Sequence, residues 1–367
     1  MKRIAWIDNL RVMVIILVVF LHSGVTYSGI GGWYYKEEAE IDTGSLLFFA
    51  FFITFTQAYF MSLLFMVSGY FSKLSLEKRG TKLFLRGRLK RLGIPLLIYM
   101  FLLHPLAVRI AYPDMDFWQW FSNAITQFDF LAWTGPLWFV EALLLFTFGY
   151  LLVLRFAKNI KINLKLTPQN VAILIMLITA VAFLLRLAFP IGTNVLNLQF
   201  SFFSAYIVLF IIGLLAPSSR LFEQISVRSG IQYLIISFAV GVPFWLFTIF
   251  FSGVPDGDPR FMGGWNWPAM AYAFWESFFC VTFIIALIGL FRFKIDISGS
   301  FQKFLSDNAF GVFVFHAPVL IATSMLFRDW EVYPVVKFFV VGVIAVAASY
   351  AVAWLVRRPV ILRKIFS

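Results

Sequence analysis

Cysteine is all but absent: the 367-residue chain holds one, Cys280. A single thiol excludes an internal disulfide, a cysteine zinc cluster and a dithiol redox centre, and leaves Cys280 as a small apolar residue. No metal is expected. Charge is scarce as well. Only 13% of residues are charged against 61% hydrophobic, too little polar surface to coat a soluble globule of this size. Acidic residues are the scarcer sign, 18 against 30 Lys and Arg, for a net charge of +12. No cleavable leader is expected either: the first apolar run lacks a small-residue cleavage pattern and itself carries Arg11 and His22, so it is expected to stay as the first membrane span.

What is there is a series of apolar runs long enough to cross hydrocarbon. They recur at Leu10–Thr26, Leu46–Phe71, Ile94–Tyr112, Leu137–Phe156, Val171–Phe189, Leu198–Ala216, Ile231–Phe251, Ala269–Phe291, Leu305–Phe327 and Val335–Val356. The expected fold is an all-α polytopic membrane protein of about ten transmembrane helices. Loops are short, so residues 1–367 read as a single transmembrane domain.

Lysine and arginine set the orientation. Alternate segments hold Lys2 and Arg3, then the run from Lys73 to Arg91, then Arg155 to Lys165, Arg220 and Arg228, Arg292 to Lys303, and Arg357 to Lys364. The intervening ones hold Glu37, Glu38, Glu40, Asp42, Asp114, Asp116, Asp129, Asp256, Asp258, Asp329 and Glu331, with few cations. Basic connections face the cytoplasm, which puts both termini inside and the chain in the cytoplasmic (inner) membrane as a multi-pass protein. The net positive charge is then an orientation bias aided by anionic inner-leaflet lipid of the bilayer, and no nucleic-acid partner is expected.

Ionisable residues inside the runs are expensive and mark functional sites by default. Arg11 and His22 are eleven residues apart in the first run. Eleven steps make three turns plus roughly 20°, so the two side chains share one face about 16 Å apart along the axis. Depth counting puts His22 and His104 in the outer halves of helices one and three, and Glu141 and Glu276 near the outer ends of helices four and eight. His316 falls near the middle of helix nine, while Arg109 and Arg186 close the outer ends of helices three and five. An inner cationic layer (Arg11, Arg86, Arg88, Arg91) thus faces an outer layer of both signs, which can pair internally. Structural readings stand beside these: Arg11 snorkelling to the interface, His22 as a hydrogen-bonded core residue, and the basic run as an orientation signal. Trp118, Trp120, Trp133, Trp265 and Trp267 form either an interfacial belt or a surface that stacks on sugar rings.

The motifs resemble a known family. Trp6-Ile7-Asp8-Asn9-Leu10-Arg11 with His22 beyond is similar to the Arg-x10-His signature of the integral membrane acyltransferase 3 family, in its glucan biosynthesis protein C-like branch. Phe65-Met66-Val67-Ser68-Gly69-Tyr70-Phe71 resembles that family's Phe-x-x-Ser-Gly-Phe stretch, with Tyr70 in place of the second phenylalanine. Arg88-Leu89-Lys90-Arg91 before Pro95 resembles its Arg-x-x-Arg element. Pro136-Leu137-Trp138-Phe139, Asn308-Ala309-Phe310-Gly311 and His316-Ala317-Pro318 complete the series.

The resemblance implies transfer of an acetyl, succinyl or other short acyl group from cytoplasmic acyl-CoA, as co-substrate, to a hydroxyl of an extracytoplasmic glycan or small-molecule acceptor. It implies His22 as general base or acyl carrier, with Arg11 in the donor channel. Arg88, Arg91 and Arg86 would hold the coenzyme A phosphates, and Ser68 and Gly69 would end helix two, opening a helix break that admits the donor. Trp138, Glu141, His316 and His104 would face substrate. A homo-oligomer is left open. The competing expectation is a proton-coupled carrier of a sugar or lipid using His22, His104, Glu141 and Arg186 as relay; against it, the two halves show no evident internal repeat.

Overall fold

The computed structural model describes residues 3–37, 40–156, 162–254 and 257–366. Among these residues the chain is helical, with no strand beyond an isolated bridge between Val195 and Leu198. The helices are α1 (Ala5–Ser28), α2 (Thr43–Arg88), α3 (Ile94–Ile98), α4 (His104–Ala111), α5 (Phe117–Thr126), α6 (Trp138–Phe156) and α7 (Pro168–Ala188). They continue with α8 (Phe203–Ser219), α9 (Val227–Phe251), α10 (Trp267–Lys294), α11 (Ser300–Leu326), α12 (Pro334–Val356) and α13 (Val360–Ile365). Helix is what an apolar medium requires, because it pairs every backbone N–H and C=O within the segment.

Local chemistry sets where the helices start. Asp42 accepts from the Ser45 N–H (2.9 Å) to cap α2, Thr167 caps α7 ahead of Pro168, and Asn266 accepts from the Ala269 N–H (2.8 Å) ahead of Pro268 on α10. Ser226 and Ser229 bond each other's backbone N–H groups in a capping box at α9.

Nine helical stretches among the described residues are long and apolar enough to cross a membrane, against about ten expected. The difference lies in one place. Thr43–Ala111 is a single helical stretch of 69 residues, broken by a kink at Gly80 and far longer than the roughly 20 residues that one crossing needs. It therefore carries both the second and the third apolar runs. Its one non-helical residue inside α2 is Gly80, at φ 72 and ψ 168, a conformation open to glycine and strained for side-chain-bearing residues. Two π-helical turns follow, Leu89–Gly93 and Tyr99–Leu103, on either side of α3. The expected helix end at Ser68 and Gly69 is not there: α2 continues through both. Gly69 instead lets α2 and α8 touch, since a Cβ on it would lie 2.2 Å from the Phe210 carbonyl oxygen. A Cβ on Gly213 would lie 2.0 Å from that of Met66.

Two compact units are present, each assembled from distant segments. The first joins Met1–Leu10, Gln57–Phe84 and Leu145–Ile297, and so contains α7 to α10. Within it α9 and α10 are tied by Ser237 Oγ donating to Thr282 Oγ1 (2.9 Å) and the Trp275 indole donating to the Gly241 carbonyl (2.8 Å). Arg186 at the end of α7, fully buried, forms an ion pair with Glu276 of α10. Its Nε donates to the Ser201 carbonyl (3.3 Å), and its guanidinium lies 5.6 Å and 5.7 Å from the Phe202 and Tyr272 ring centres. A lone guanidinium at this depth is costly; a carboxylate and two aromatic faces offset the cost.

The second unit joins Arg11–Thr56, Leu85–Leu144 and Ser298–Ser367. Ser23 of α1 donates to the Phe338 carbonyl of α12 (3.1 Å), beside edge-to-face contacts of Phe338 with Phe20, Phe48 and Phe49. In the Asn-Ala-Phe-Gly motif, Asn308 Oδ1 accepts from Arg357 Nη1 (2.6 Å), fastening the start of α11 to the end of α12. This unit holds every site residue that the family resemblance implies except Ser68 and Gly69.

Candidate active site

His22 sits on α1 with its Nδ1 2.9 Å from the Val18 carbonyl oxygen and 3.3 Å from Nε2 of His316. His316, on α11, has its Nδ1 2.8 Å from the Phe313 carbonyl oxygen. Carbonyl oxygens only accept, so each Nδ1 facing one carries the proton. His316 Nε2 is then a bare acceptor, and the His22 Nδ1–H is shared between it and Val18. By elimination the lone pair of His22 is on Nε2. His316 is wholly buried while His22 keeps exposed surface, so of the two imidazoles His22 is the one a substrate can reach.

The segment after α1 folds back over this pair. Trp33 stacks on His22, with ring centres 3.9 Å apart and planes 26° apart, and lies 6.2 Å from the His316 ring centre, nearly parallel to it. The Trp33 indole N–H is buried without a protein partner. Glu37 N–H donates to the Thr26 carbonyl (2.9 Å), and the Glu37 carboxylate accepts from Lys337 Nζ at 2.8 Å through each oxygen. Lys337, 2% exposed on α12, also donates to the Arg328 carbonyl (3.0 Å). An ion pair therefore clamps the segment that carries Trp33.

Next to Trp33, the Tyr34 hydroxyl joins His104 Nδ1 (2.7 Å) and the Tyr99 hydroxyl (3.0 Å) in one hydrogen-bonded chain. Burial pushes the Tyr34 hydroxyl well above the ordinary phenol range, with the Tyr99 bond pulling weakly the other way, so Tyr34 stays protonated. Gly135, before Pro136-Leu137-Trp138, has φ +46, and a Cβ there would lie 2.4 Å from the Tyr34 hydroxyl and 2.7 Å from that of Tyr99. Glycine is required both by the backbone and by the space the two phenols occupy.

His104 is stacked on Trp133 (5.1 Å, 13°), which is stacked on Trp120 (5.0 Å, 14°). Trp133 is 5% exposed, so its faces are taken by other rings and do not lie open to a sugar. Of that set Trp118, Trp265 and Trp267 are exposed, at 75%, 80% and 51%. Glu141, on α6, is bonded by Thr134, and its Oε2 is buried with no protein partner. Trp138 is half-buried at the start of the same helix, and Arg11 is half-buried on α1. Arg86 and Arg91 are exposed and Arg88 half-buried, at the end of α2 and in the π turn after it.

The structure thus joins His22 to His316 and His104 to Tyr34, and places Ser68 and Gly69 in a helix contact of the other unit. Sequence reasoning missed Trp33, Tyr34, Tyr99 and the Lys337–Glu37 clamp. One signal was available: Lys337 is a lone cation inside the last apolar run.

The fold is that of a polytopic α-helical membrane protein, with a hydrogen-bonded imidazole pair set within its helices. A family profile described as an acyltransferase domain matches residues 4–357, and the chain belongs to that family. It is a membrane acyltransferase. No curated protein and no solved structure matches the chain.

Proposed function

We propose that the protein is an acyl-CoA-dependent O-acyltransferase of the cytoplasmic membrane, of the glucan biosynthesis protein C-like branch, and that His22 Nε2 is its general base. The observation that carries this reading is the His22–His316 bond: it fixes the tautomer whose Nε2 can take a proton, on the imidazole that remains reachable. Acceptor hydroxyl gives its proton to His22 Nε2, and the oxygen attacks the thioester carbonyl. The carbon–sulfur bond then breaks, and the coenzyme A sulfur leaves with the proton that His22 returns. The acylated hydroxyl and free coenzyme A are the products. Arg88 and Arg91, with Arg86 beside them, supply guanidinium donors for the coenzyme A phosphates, and all three belong to the unit that holds His22. Arg11, three turns before His22, lines the path of the pantetheine arm. Trp138, Glu141 and His104 border the acceptor, a glycan or a small hydroxyl compound.

The test is release of free coenzyme A from acetyl-, succinyl- and longer acyl-CoA by purified protein, with and without glycan acceptors. His22→Ala should lower turnover by about 10²- to 10⁴-fold with donor binding intact, because the imidazole handles protons and not phosphate. Arg88→Ala with Arg91→Ala should raise the donor KM more than it lowers kcat. Turnover by His22→Ala near the parent rate sinks the base assignment, and unchanged coenzyme A affinity in the arginine variant sinks the phosphate assignment.

A further inference from the structure

At the opposite end of α7 from Arg186, the first unit contains a cavity of about 340 Å³. Its walls are apolar: Leu174 of α7, Leu209 and Ile212 of α8, and Ile284 and Ile285 of α10. Its mouth is a strap, residues 162–166, hung on the α8–α9 connection. The Leu164 N–H donates to Ser219 Oγ (2.9 Å), the Leu166 N–H to Gln224 Oε1 (2.8 Å), and Gln224 Nε2 to the Leu164 carbonyl (2.9 Å). The polar side chains among its lining residues belong to Asn163, Lys165 and Asn170, all three exposed. Arg292 donates to the carbonyls of the cavity-lining residues Phe222 (3.0 Å) and Ile225 (3.3 Å).

A cavity with such walls is a poor place for water, which needs two to four polar partners, whereas an apolar cavity of about 150 Å³ already stays dry and takes up an apolar molecule. Hydrocarbon below and a cation above is the complement of an acyl chain carrying an anionic head. The strap and the α8–α9 connection lie on the side that the Lys and Arg excess assigns to the cytoplasm, where anionic lipid is concentrated. We propose that this cavity binds one acyl chain of an anionic phospholipid of the cytoplasmic leaflet, its phosphate resting on Lys165.

The test uses intact protein in phosphatidylcholine vesicles with a small fraction of phosphatidylglycerol carrying a diazirine at the chain end. Adducts are expected to concentrate on Leu209, Ile284 and Ile285 over Ile235 of α9, which is 61% exposed and meets only bulk lipid. Leu209→Trp, which fills the cavity, should bring labelling of Ile285 down to the Ile235 level. Ile285→Phe, a milder filling checked by an unchanged thermal transition, should do the same to Leu209. Lys165→Glu should lower phosphatidylglycerol adducts at least about fivefold, the ratio expected for one lysine at an anionic headgroup, and leave the same probe built on phosphatidylcholine unchanged. Labelling spread evenly over Ile235 and the cavity, or indifferent to both fillings, would mean bulk lipid only and overturn the site. Equal loss of both probes in Lys165→Glu would overturn the headgroup assignment. None of these readouts depends on acyl transfer, so they stand or fall apart from the proposed activity.

Discussion

His316 lies 294 residues from His22 in the chain and touches it through one hydrogen bond. If His22 is the base, as proposed, that bond casts His316 as a positioning residue: it accepts the shared Nδ1 proton and so holds the lone pair on the far nitrogen of His22. His316→Ala should lower kcat about 10- to 100-fold with KM little changed, the range typical for a partner that orients a functional imidazole. His316→Gln, whose carbonyl oxygen can accept the same proton, should recover part of the loss. A purely structural role would lower both variants alike and move the amount of folded protein instead. The Lys337–Glu37 clamp is a second residue-scale device. With side-chain exposures of 3% and 17%, it is a largely desolvated pair, and Lys337→Met leaves the Glu37 carboxylate without its cation. The expected cost is about 3 kcal/mol, the lower end of the range for breaking a buried pair, because Glu37 keeps some exposure. Removing both charges, Lys337→Met with Glu37→Gln, should restore most of it, as read by thermal denaturation in detergent.

At the scale of elements, small residues decide where helices meet. Gly69 and Gly213 bring α2 and α8 to backbone contact, and a methyl on either would sit inside a carbonyl of the other helix. Without a hydrophobic drive between helices in lipid, such close approach is what holds them together. Gly69→Ala should therefore lower the yield of folded protein and its thermal transition sharply. Gly93→Ala, in a helical conformation with no atom within 4 Å of the new methyl, should stay within about 0.5 kcal/mol of the parent. Equal behaviour of the two variants would remove the packing role from the Ser-Gly motif. The π turns Leu89–Gly93 and Tyr99–Leu103 matter for the same reason: each changes the helical phase, and between them they set the register at which Arg91 and His104 emerge.

For the whole molecule, the proposal is one of sidedness. In the proposed orientation the basic connections, with the arginines of the Arg-x-x-Arg element among them, face the cytoplasm, and His22 falls in the outer half of a helix that starts inside. In sealed vesicles of defined orientation, acyl-CoA supplied at the cytoplasmic face should acylate acceptor confined to the other face, with no net acceptor transport. Acylation only when donor and acceptor share one face would overturn this arrangement. Acceptor crossing without acylation would favour a carrier.

Much of this protein follows from the chain alone. Few charges and many apolar residues fix the medium, the medium demands helix, and the runs between polar connections place the spans to within a few residues, as at α1, α6 and α12. Helical period puts Arg11 and His22 on one face before any contact is known. Partner choice is different. The pairings of His22 with His316, Tyr34 with His104 and Arg186 with Glu276 join positions whose separations follow no period, so only the way the helices cross brings them within bonding distance. By sequence the second helix is expected to end at Ser68-Gly69, but glycine serves a break and a close contact equally well; α2 runs on, and the neighbouring carbonyl of Phe210 decides for contact. Trp33 and Glu37, in a connection with no apolar repeat, gain their roles only when Lys337 and His22 draw that connection back over α1.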